Sequence, residues 1–566
     1  MSLDAATLEP RRAAVSQGID DTHAPAGATG LGACPLCRPT RLLLGLALGL
    51  LLAWLGGCAS LPPPVPQVPS HAEPAADSSP LARIVTASIP DQDLTGFRLL
   101  PTGPFALDTR LVLVQRAVHT IDIQYYVLQN DATGRFLMRS LRDAALRGVR
   151  VRLLVDDLYT SDTDPLLLGL AAHPNVEVRL FNPFPGGRDS LATRFIASAH
   201  DFHRVNRRMH NKLMVVDGAM AVAGGRNIAD EYFMRHEQAN FVDLDAFVVG
   251  ALLPRLQALF DSYWNNPVVW PLHAIVPPTD PAGLLRAAFD RQTGPGSTPV
   301  PVPPLPSATD PLGYGPISEE LKDGRLGLVW AFATAYADHP QRLKGMGANY
   351  ATVPLAEDVE SVGYTVRDMM RGARREVVLT SPYLVPGERG MALVAGLRER
   401  GVGVKMLTNS LAATDEPLVH IGYRKYRNDL LALGVDLYEL SPVRVKKASR
   451  LGFLTPSQGR LHAKTVVVDA SKVFIGSMNF DPRSDKINTE MGMFVDSDAL
   501  AREVLRLMDL DKLQASFRVV LAPDGTLRWL AMDDEGEVSF DSEPEVDFGT
   551  QLWLELLAPL APEELL

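Results

Sequence analysis

Two short segments, one in each half of the chain, contain residue types that can break phosphodiester bonds. They are His210-Asn-Lys212 and His462-Ala-Lys464. In an extended strand, residues i and i+2 face the same side, so each histidine should point the same way as its lysine. One imidazole could attack phosphorus while the other protonates the leaving oxygen, and the ammonium groups could hold the charge that develops on the phosphate. The two segments therefore predict a single site for phosphoryl transfer.

The same features follow both segments in the same order. An aspartate stands five residues after each lysine, at Asp217 and Asp469, and an asparagine stands ten residues after each aspartate, at Asn227 and Asn479. The asparagine amides are suited to share the phosphate charge with the lysines. All four residues belong to the candidate site. We expect the aspartates mainly to stabilise local structure, for example by pairing with a nearby cation, with a direct chemical role as the alternative.

Two acidic residues are candidates for orienting the imidazoles, because an attacking imidazole needs an acceptor on its second ring nitrogen. Glu490 follows the second segment and is predicted to orient His462. Asp243 occupies the corresponding position in the first half and is predicted to orient His210. The sequence contains neither a carboxylate cluster nor a His-rich spacing typical of metal ligands, so we expect no metal and no other cofactor.

A repeated pattern of strands and helices should position these residues. Residues 147–155 (RGVRVRLLV) are matched by residues 400–408 (RGVGVKMLT), and each stretch is preceded by a helical segment and, before that, by another strand. This β-α-β order predicts parallel strands with right-handed crossovers. Because the histidine segments repeat with nearly the same offset, the chain is interpreted as a duplicated α/β unit.

The predicted boundaries follow from composition. The first unit spans residues 86–294, and the second spans residues 317–566 with an apolar segment at its C-terminal end. Residues 295–316 contain eight prolines, which excludes a regular helix or strand and indicates a linker or surface loop. The apolar C-terminal segment could dock on the second unit or dip into a membrane interface.

The N-terminal region is predicted to be a targeting segment that is not part of the folded domain. Residues 42–57 form an uncharged apolar run that follows basic residues and ends at Leu-Gly-Gly-Cys58, which resembles a bacterial lipobox. We therefore expect a signal peptide with an N-terminal extension at residues 1–57, lipidation of Cys58 and a Pro/Ala-rich tether at residues 58–85. An uncleaved anchor helix is the alternative. Both place the body of the protein on the periplasmic side of the bacterial cell envelope, with the choice of inner or outer membrane left open.

Composition limits the classes of partner. The chain has 566 residues, a net charge of −11 and a hydrophobic fraction of 46%. This acidic balance argues against a protein that holds nucleic acid through its overall field. Three cysteines exclude a disulfide scaffold. No nucleic-acid partner is expected, and the sequence does not identify a protein partner.

The paired segments resemble the HKD motifs of the phospholipase D superfamily. The resemblance covers the chain from about residue 90 to the end. It implies an α/β fold of two phospholipase D-like halves, each a mixed β-sheet flanked by helices, packed about a pseudo-twofold axis. It also implies a reaction through a phosphohistidine intermediate, with His210 as the nucleophile and His462 as the acid–base residue.

Finer features resemble one branch of this superfamily. Residues 206–212 and 224–233 look like those of bacterial cardiolipin synthases, as do residues 479–484 and 488–492, and residues 409–415 are similar to the cardiolipin synthase C branch. The resemblance implies a phosphatidyltransferase that makes cardiolipin from phospholipids, namely phosphatidylglycerol and, as a further candidate, phosphatidylethanolamine. Hydrolysis by the same site, as in a phospholipase D, and a periplasmic nuclease or phosphodiesterase activity are the alternatives. A non-enzymatic lipid-binding scaffold is a third class.

Several basic side chains near the motifs have two interpretations. Arg226 could contact a second lipid phosphate or be a solvated surface residue. A basic run before the first motif and another before the second could line a path for anionic headgroups or simply be solvated loops. These are His203, Arg204, Arg207 and Arg208, and Lys446, Lys447 and Arg450. His420 and Tyr426 are expected to be packing residues.

Overall fold

The computed structural model describes residues 60–63, 66–340, 361–447, 458–508, 514–534, 536–547, 549, 553, 554 and 556. The predicted signal peptide at residues 1–57, the lipidation site Cys58 and Arg450 lie outside these residues, as do the side chains of Lys446 and Lys447. Ala59–Leu566 form one compact unit. No helix within the described ranges is both long enough and apolar enough to span a bilayer.

Strands and helices alternate along most of the described chain. The strands are β1 (Thr95–Leu100), β2 (Thr120–Tyr125), β3 (Arg150–Asp156), β4 (Val176–Phe181), β5 (Lys212–Val216), β6 (Met220–Gly224), β7 (Ala239–Val242), β8 (Asp245–Gly250), β9 (Val269–Pro271), β10 (Val329–Ala337), β11 (Glu376–Thr380), β12 (Gly403–Asn409), β13 (Asp436–Leu440), β14 (Gln458–Leu461), β15 (Thr465–Val468), β16 (Lys472–Gly476), β17 (Met491–Asp496), β18 (Ser516–Leu521), β19 (Leu527–Asp533) and β20 (Gly536–Phe540).

The helices carry the connections between strands. They are α1 (Pro80–Ser88), α2 (Gly103–Arg116), α3 (Ala132–Leu146), α4 (Asp164–Ala171), α5 (Leu191–Ala197), α6 (Phe202–Val205), α7 (Leu253–Trp264), α8 (Leu272–Ile275), α9 (Ala282–Thr293), α10 (Ile317–Asp323), α11 (Val362–Arg371), α12 (Gly387–Glu399), α13 (Pro417–Ala432), α14 (Arg444–Lys447), α15 (Pro482–Lys486) and α16 (Asp498–Met508). Short 3₁₀ turns occur at Asp157–Tyr159, Ala199–Asp201 and Asp230–Phe233.

The main sheet has 18 strands, and its order is symmetric about its middle. The pairings run β9-β4-β3-β2-β5-β6-β8-β1 in the first half and β10-β17-β16-β15-β11-β12-β13-β18 in the second, with β19 and β20 added at the end. The antiparallel pair β1–β10, in which Phe97 lies opposite Val329, joins the halves. The two-half α/β fold with a pseudo-twofold axis is therefore confirmed.

Each half contains the β-α-β unit that the repeat predicts. β2, β3 and β4 pair in parallel, as do β11, β12 and β13. Helices α3 and α12 make the first crossover in each half, and the parallel strands are mostly buried. Because the carboxyl ends of parallel strands meet at one edge of a sheet, the loops that follow them are brought together there.

A shared core holds the two halves together. It packs side chains of the first half, such as Met209, Phe260 and Trp264, in one cluster with side chains of the second half, such as Tyr438 and Val495. Of two further clusters, one lies in the second half, and the other lies in the first half but also includes Ile317 and Leu321 of α10. Residues contributed by both halves can therefore form one rigid site.

The end of the predicted tether packs on the first half. The backbone N–H of Ala72 donates to both carboxylate oxygens of Asp261, at 3.1 and 2.9 Å, and that of Ser70 donates to Asn265 at 3.1 Å. Helix α1 then buries Leu81 completely. Residues 70–85 are therefore part of the folded body, because their backbone groups find partners on α7 and its end.

The proline-rich residues 295–316 contain neither helix nor strand, as their composition predicts. They are nevertheless packed: the Arg98 guanidinium lies 3.8 Å from the Tyr314 ring centroid, and the Tyr314 hydroxyl donates to Glu503 at 2.5 Å in the second half. In the C-terminal segment, Leu554 docks against Leu411 of the second half.

Candidate active site

The two histidine segments lie next to each other in the middle of the molecule. His210 precedes β5, and His462 lies between β14 and β15. Only 6% of His210 and 4% of His462 is exposed, and both lysines of the motifs are buried. The site is therefore an enclosed one, in which charge–charge interactions are stronger than in water.

Each histidine segment pairs with a segment of the opposite half. Met209 forms a parallel bridge with Thr489, and the His210 N–H donates to the Thr489 carbonyl at 2.8 Å. In the second half, β14 pairs in parallel with β7, and the His462 N–H donates to the Val242 carbonyl at 2.7 Å. Since Thr489 and Val242 directly precede the two candidate carboxylates, this pairing brings each carboxylate to the histidine of the other half.

The assignment of the orienting carboxylates from sequence is wrong. His210 Nδ1 hydrogen-bonds Glu490 Oε2 at 2.9 Å, and His462 Nδ1 hydrogen-bonds Asp243 Oδ2 at 2.6 Å. The residues were identified, but their partners are exchanged between the halves. The reason is that the strand-like pairing across the pseudo-twofold axis, rather than proximity along the chain, decides which imidazole each carboxylate reaches.

The two carboxylates have different electrostatic surroundings. His462 and Lys464 hold the pKa of Asp243 down at about 2 in spite of its burial. Burial raises the pKa of Glu490 to about 7, although Lys212 favours its ionised form. Glu490 Oε2 also accepts a hydrogen bond from the Ser477 hydroxyl at 2.5 Å. One imidazole is therefore held by a permanently charged carboxylate and the other by a carboxyl group that titrates near neutral pH.

The lysines and histidines form one charge cluster. Lys212 Nζ donates to the His210 carbonyl at 2.5 Å, and Lys464 Nζ donates to that of His462. Burial lowers the pKa of Lys464 to about 8 and that of Lys212 well below its usual value. Burial and the two ammonium groups lower the pKa of His462 to about 4 and that of His210 well below its usual value. The lysine of each half therefore lowers the pKa of the histidine in the other half, as expected if the four side chains form one anion site.

Two tyrosines that the sequence did not single out pack on the imidazoles. The Tyr126 ring centroid lies 4.9 Å from that of His210 and the Tyr232 centroid 5.1 Å from that of His462, both nearly perpendicular. Tyr126 directly follows β2, and Tyr232 lies in the 3₁₀ turn after the first asparagine. Position at the carboxyl end of a parallel strand is the signal that could have identified Tyr126.

The two asparagines differ in what they bind. Asn227 Nδ2 donates to the Tyr232 hydroxyl at 2.9 Å, and its Oδ1 accepts from the Val127 N–H at 3.3 Å. The buried Asn479 Oδ1 has no hydrogen-bond partner among the described residues. Asn227 thus positions the tyrosine beside His462, whereas the Asn479 side chain retains hydrogen-bonding capacity.

The motif aspartates bind backbone rather than a cation. Asp217 accepts hydrogen bonds from the N–H groups of Val118, His119 and Thr120 at 2.9–3.2 Å and from the Ser79 hydroxyl at 2.7 Å. Asp469 likewise accepts from three successive N–H groups, of residues 374–376. Asp217 directly follows β5 and Asp469 directly follows β15, so each fixes the start of the neighbouring antiparallel strand, β2 or β11.

Asp217→Ala is therefore expected to lower the free energy of unfolding by about 3 kcal/mol, because it leaves buried donors without acceptors. The matched change Asp469→Ala should lower it by only about 1 kcal/mol, since its partners are exposed to water. Differential scanning fluorimetry and denaturant titration measure both effects. Turnover per folded molecule should stay within about threefold of wild type. A large loss of turnover without a loss of stability would instead indicate that Asp217 acts in the chemistry.

Arg226 is neither a headgroup ligand nor a surface residue. It is buried and donates to the backbone carbonyls of Leu100, Pro101 and Asp243 at 2.6–2.8 Å. It thus stabilises the backbone of Asp243, whose carboxylate binds the imidazole of His462. In the basic run before the first motif, Arg208 is buried in an ion pair with Asp156 at 3.1 Å, so it is also structural.

The other residues of that run and the predicted packing residues also differ in whether they are buried or exposed. Arg204 is half-buried and donates to Asp201, whereas His203 is exposed. His420 is buried, and its Nε2 lies 3.2 Å from Nη2 of Arg427. His420 is therefore a packing residue, as predicted.

An acidic side chain stands beside the anion site. The Asp415 carboxylate accepts a hydrogen bond from the Tyr383 hydroxyl at 2.8 Å, while its other oxygen is enclosed and has no partner among the described residues. Asp415 is close enough to the site to favour the charged form of Lys464 and to raise the pKa of the Glu231 carboxyl. A group that donates hydrogen bonds would satisfy this oxygen. In the described part of the chain, no three His, Cys, Asp or Glu side chains are grouped as a metal site would need.

The chain is similar to known proteins over most of its length. A family model described as "Cardiolipin synthase, PLD-like domain" matches residues 111–264 and 366–511. The chain is 36% identical to cardiolipin synthase C of Escherichia coli (strain K12) over 474 residues, which cover 81% of this chain and 94% of that protein. It is 30% identical to an uncharacterized protein of Helicobacter pylori (strain ATCC 700392 / 26695), over 82% of this chain and 89% of the relative.

A solved structure shares the fold. Phosphatidylserine synthase from Haemophilus influenzae Rd KW20 aligns with a TM-score of 0.51 and 13% identity, over 86% of this chain and 100% of that chain. Both motif histidines lie within the two segments that the family model matches.

Proposed function

This chain belongs to the cardiolipin synthase family of phospholipase D-like proteins, and we propose from that premise that His210 and His462 transfer a phosphatidyl group between lipids. The enzyme is a phosphatidyltransferase that acts on phospholipids. The observation that carries the assignment of residues is the crossed pair of imidazole–carboxylate hydrogen bonds in one enclosed cluster with both lysines. Family membership alone does not identify which side chain performs which step.

In the first step, His210 attacks the phosphorus of the donor lipid. Glu490 accepts a hydrogen bond from the Nδ1–H group of His210, so the lone pair on Nε2 is free for the attack. The bond from phosphorus to the headgroup oxygen breaks, and His462 protonates that oxygen. The bound phosphodiester raises the pKa of His462, and the ionised Asp243 stabilises the imidazolium that results. The lysines hold the phosphate oxygens, because an anion favours their charged form.

In the second step, the acceptor alcohol takes the place of the departed headgroup. Neutral His462 removes the proton of the acceptor hydroxyl, and the oxygen attacks phosphorus. The bond from phosphorus to His210 breaks, which restores the free enzyme. Atoms balance because the proton given to the leaving alcohol is replaced by the proton of the entering alcohol. If water entered instead of the alcohol, the product would be phosphatidic acid.

The acidic side of the site supports an alcohol-bearing or ammonium-bearing headgroup. A phosphate site surrounded only by cations would suit any anion, but Asp415 presents an enclosed oxygen near Lys464 for which the described part of the chain supplies no partner. A glycerol hydroxyl or an ethanolamine ammonium donates hydrogen bonds to such an oxygen. We therefore assign phosphatidylglycerol as donor and acceptor, with phosphatidylethanolamine as a second donor.

The body of the protein would meet these lipids at the bacterial cell envelope. Lipidation of Cys58 and a periplasm-facing position are part of the proposal, and the lipobox-like Leu-Gly-Gly-Cys58 sequence supports them. Since Gln67 donates to the Val269 carbonyl at 2.7 Å and residues 70–85 also pack on the first half, a tether would be limited to the residues between Cys58 and Gln67. The enzyme would then lie close to the membrane that holds its substrate.

Mass spectrometry of lipids tests the function. The purified full-length protein is incubated with vesicles of phosphatidylglycerol labelled in the headgroup glycerol, with or without phosphatidylethanolamine. Cardiolipin with release of labelled glycerol is the expected result, and release of ethanolamine would identify the second donor. Phosphatidic acid as the main product would make the enzyme a hydrolase. Formation of neither lipid, together with cleavage of DNA, would replace the proposal by a nuclease.

Asp415→Asn is expected to lower the ratio of cardiolipin to phosphatidic acid about tenfold. The change weakens the hydrogen bond to the acceptor hydroxyl but leaves the attacking imidazole intact, so water competes better for the covalent intermediate. The matched control is Glu399→Gln, an exposed carboxylate at the end of α12. Both products are quantified in the same vesicle assay. An unchanged product ratio would contradict the role assigned to Asp415.

A further inference from the structure

Helix α5 (Leu191–Ala197) has its polar and apolar sides reversed. Arg194 is completely buried, whereas Ile196 is 74% exposed and Leu191 is 38% exposed. In a helix that packs on a water-soluble core, the apolar side faces inward and the charged side faces solvent. Phe202 of the following short helix is also exposed. The segment from Leu191 to Phe202 therefore presents apolar side chains outward next to an interior held by polar groups.

The reversed orientation is fixed by specific bonds. The Arg194 guanidinium donates to the Asp157 carbonyl and to the Thr160 hydroxyl, the latter at 3.1 Å. The helix start is held by a capping box between Ser190 and Thr193. Rotating the helix to bury Ile196 would break these hydrogen bonds and would give the arginine no other partner in their place. The outward apolar face is thus a built feature of the loop.

This face is continuous with the wall of the active site. The Phe195 ring lies 5.4 Å from that of Phe184, which belongs to the same cluster as Tyr159. The Tyr159 ring lies 5.5 Å from Tyr126, and Tyr126 packs on the imidazole of His210. One apolar cluster therefore connects α5 with Tyr126, which packs on the imidazole of His210.

The second half exposes apolar side chains at the equivalent edge. Val443 follows the carboxyl end of β13, the counterpart of β4, after which α5 comes. Leu418 stands three residues after Asp415, and Trp553 is 62% exposed next to Leu554, which packs on the loop before Asp415. Both halves thus place exposed apolar residues around the loops that form the site.

We propose that this surface, defined by Leu191, Ile196, Phe202, Leu418 and Trp553, docks on a phospholipid bilayer and inserts among the headgroups. The inference rests on the proposed function. A diacyl lipid carries its phosphate at the boundary of the bilayer, so an enclosed site can reach it only if the protein surface around the entrance meets that boundary. Exposed apolar residues scattered singly need no partner, but apolar residues that both halves place on the loops around a lipid-phosphate site favour one. Insertion by about 5–10 Å is the depth usual for such interfacial segments.

Fluorescence quenching tests the insertion independently of activity. In the full-length protein, Ile196→Trp adds a reporter on the proposed surface, and Val302→Trp adds one on the proline-rich segment, which also is highly exposed. Vesicles of phosphatidylglycerol and phosphatidylethanolamine carry bromine on the acyl chains. The fluorescence added by Ile196→Trp is expected to be quenched, whereas that added by Val302→Trp is not. Equal quenching at both positions, or at neither, would overturn the proposal.

Kinetics separate docking from chemistry. Ile196→Asp is expected to lower turnover of phosphatidylglycerol in vesicles about tenfold or more, since it removes apolar surface from the interface and adds a charge. Turnover of dihexanoyl phosphatidylglycerol, dissolved below its micelle concentration, should stay within about twofold. Val302→Asp is the matched control. An equal loss on both substrates would mean that α5 only supports the fold. A change in sedimentation coefficient with normal vesicle turnover would mean that the surface binds a second copy.

The two proposals can fail separately. Should wild-type protein turn over neither lipid, the proposed function is lost, while quenching of the Ile196→Trp reporter still decides whether the surface inserts. Should the enzyme make cardiolipin normally with Ile196→Asp in vesicles, the docking surface is lost and the proposed function stands.

Discussion

Replacing His210 by alanine is expected to lower phosphatidyl transfer by a factor of about 10⁴ and to abolish the covalent intermediate. His462→Ala should lower overall turnover about as much, but for a different reason. With a phosphatidyl ester of p-nitrophenol as donor, the leaving group needs no proton, so His210 can still attack. Because no base then activates the acceptor, the covalent form should accumulate and one equivalent of p-nitrophenol should be released in a burst.

The burst assay assigns the two roles without relying on the symmetry of the fold. A burst with His462→Ala and none with His210→Ala is the expected pattern, and the reverse pattern would exchange the nucleophile and the acid–base residue. Acid-labile phosphate on the protein, followed with a labelled donor, identifies the intermediate directly. His203→Ala is the matched control, since this exposed histidine lies seven residues before His210 and should not affect the burst.

The pseudo-twofold fold could be predicted because its evidence is local and repeated. The segments RGVRVRLLV and RGVGVKMLT have the alternating apolar pattern of strands, and each forms a central parallel strand, β3 and β12. The histidine and lysine of each motif could be identified for a similar reason, since the same residue types recur at the same spacing in both halves. The backbone role of Asp217 was expected in kind, although its partners are N–H groups and not a cation.

The partners of the carboxylates could not be predicted, because they depend on contacts between distant segments. Glu490 lies 28 residues after His462 along the chain, yet the bridge between Met209 and Thr489 delivers it to His210. A rule that assigns each acid to the nearest motif along the chain fails where segments of one half pair with segments of the other. Arg226 was misjudged for a related reason: a charged residue reads as a surface residue until the carbonyls that enclose it are known.

The crossed pairing makes two similar halves chemically unlike. Both imidazoles hydrogen-bond a carboxylate through Nδ1, but Asp243 remains ionised while Glu490 titrates near neutral pH. An ionised partner stabilises an imidazolium, which suits the residue that carries a proton between alcohols. A partner that titrates near neutral pH makes attack by the other imidazole depend on pH, because only the ionised carboxylate leaves the Nε2 lone pair of His210 free. The duplicated fold can thus divide the work between identical residue types.

Glu490→Gln is expected to slow formation of the covalent intermediate about 100-fold and to remove its dependence on pH around 7. Ionised Glu490 accepts a hydrogen bond from the Nδ1–H group of His210, which keeps Nε2 unprotonated. Protonated Glu490 donates to Nδ1 instead, which leaves the proton on Nε2 and blocks attack. Because burial raises the pKa of Glu490 to about 7, the burst rate should rise as the pH increases through that value. Glutamine does not titrate, so the rise disappears in the variant.

Asp243→Asn is the matched change in the opposite half, and it should act on a different step. Its carboxyl group has a pKa of about 2, so replacing it removes no titration above pH 4 from the burst rate. It should instead slow release of the phosphatidyl group to the acceptor, by about 10-fold to 100-fold, because the imidazolium of His462 loses its counter-charge. Stopped-flow burst rates and steady-state rates between pH 5 and 9 separate the two steps. If Asp243→Asn removed the pH dependence of the burst while Glu490→Gln retained it, each carboxylate would serve the histidine of its own half, and the crossed geometry would not describe the working enzyme.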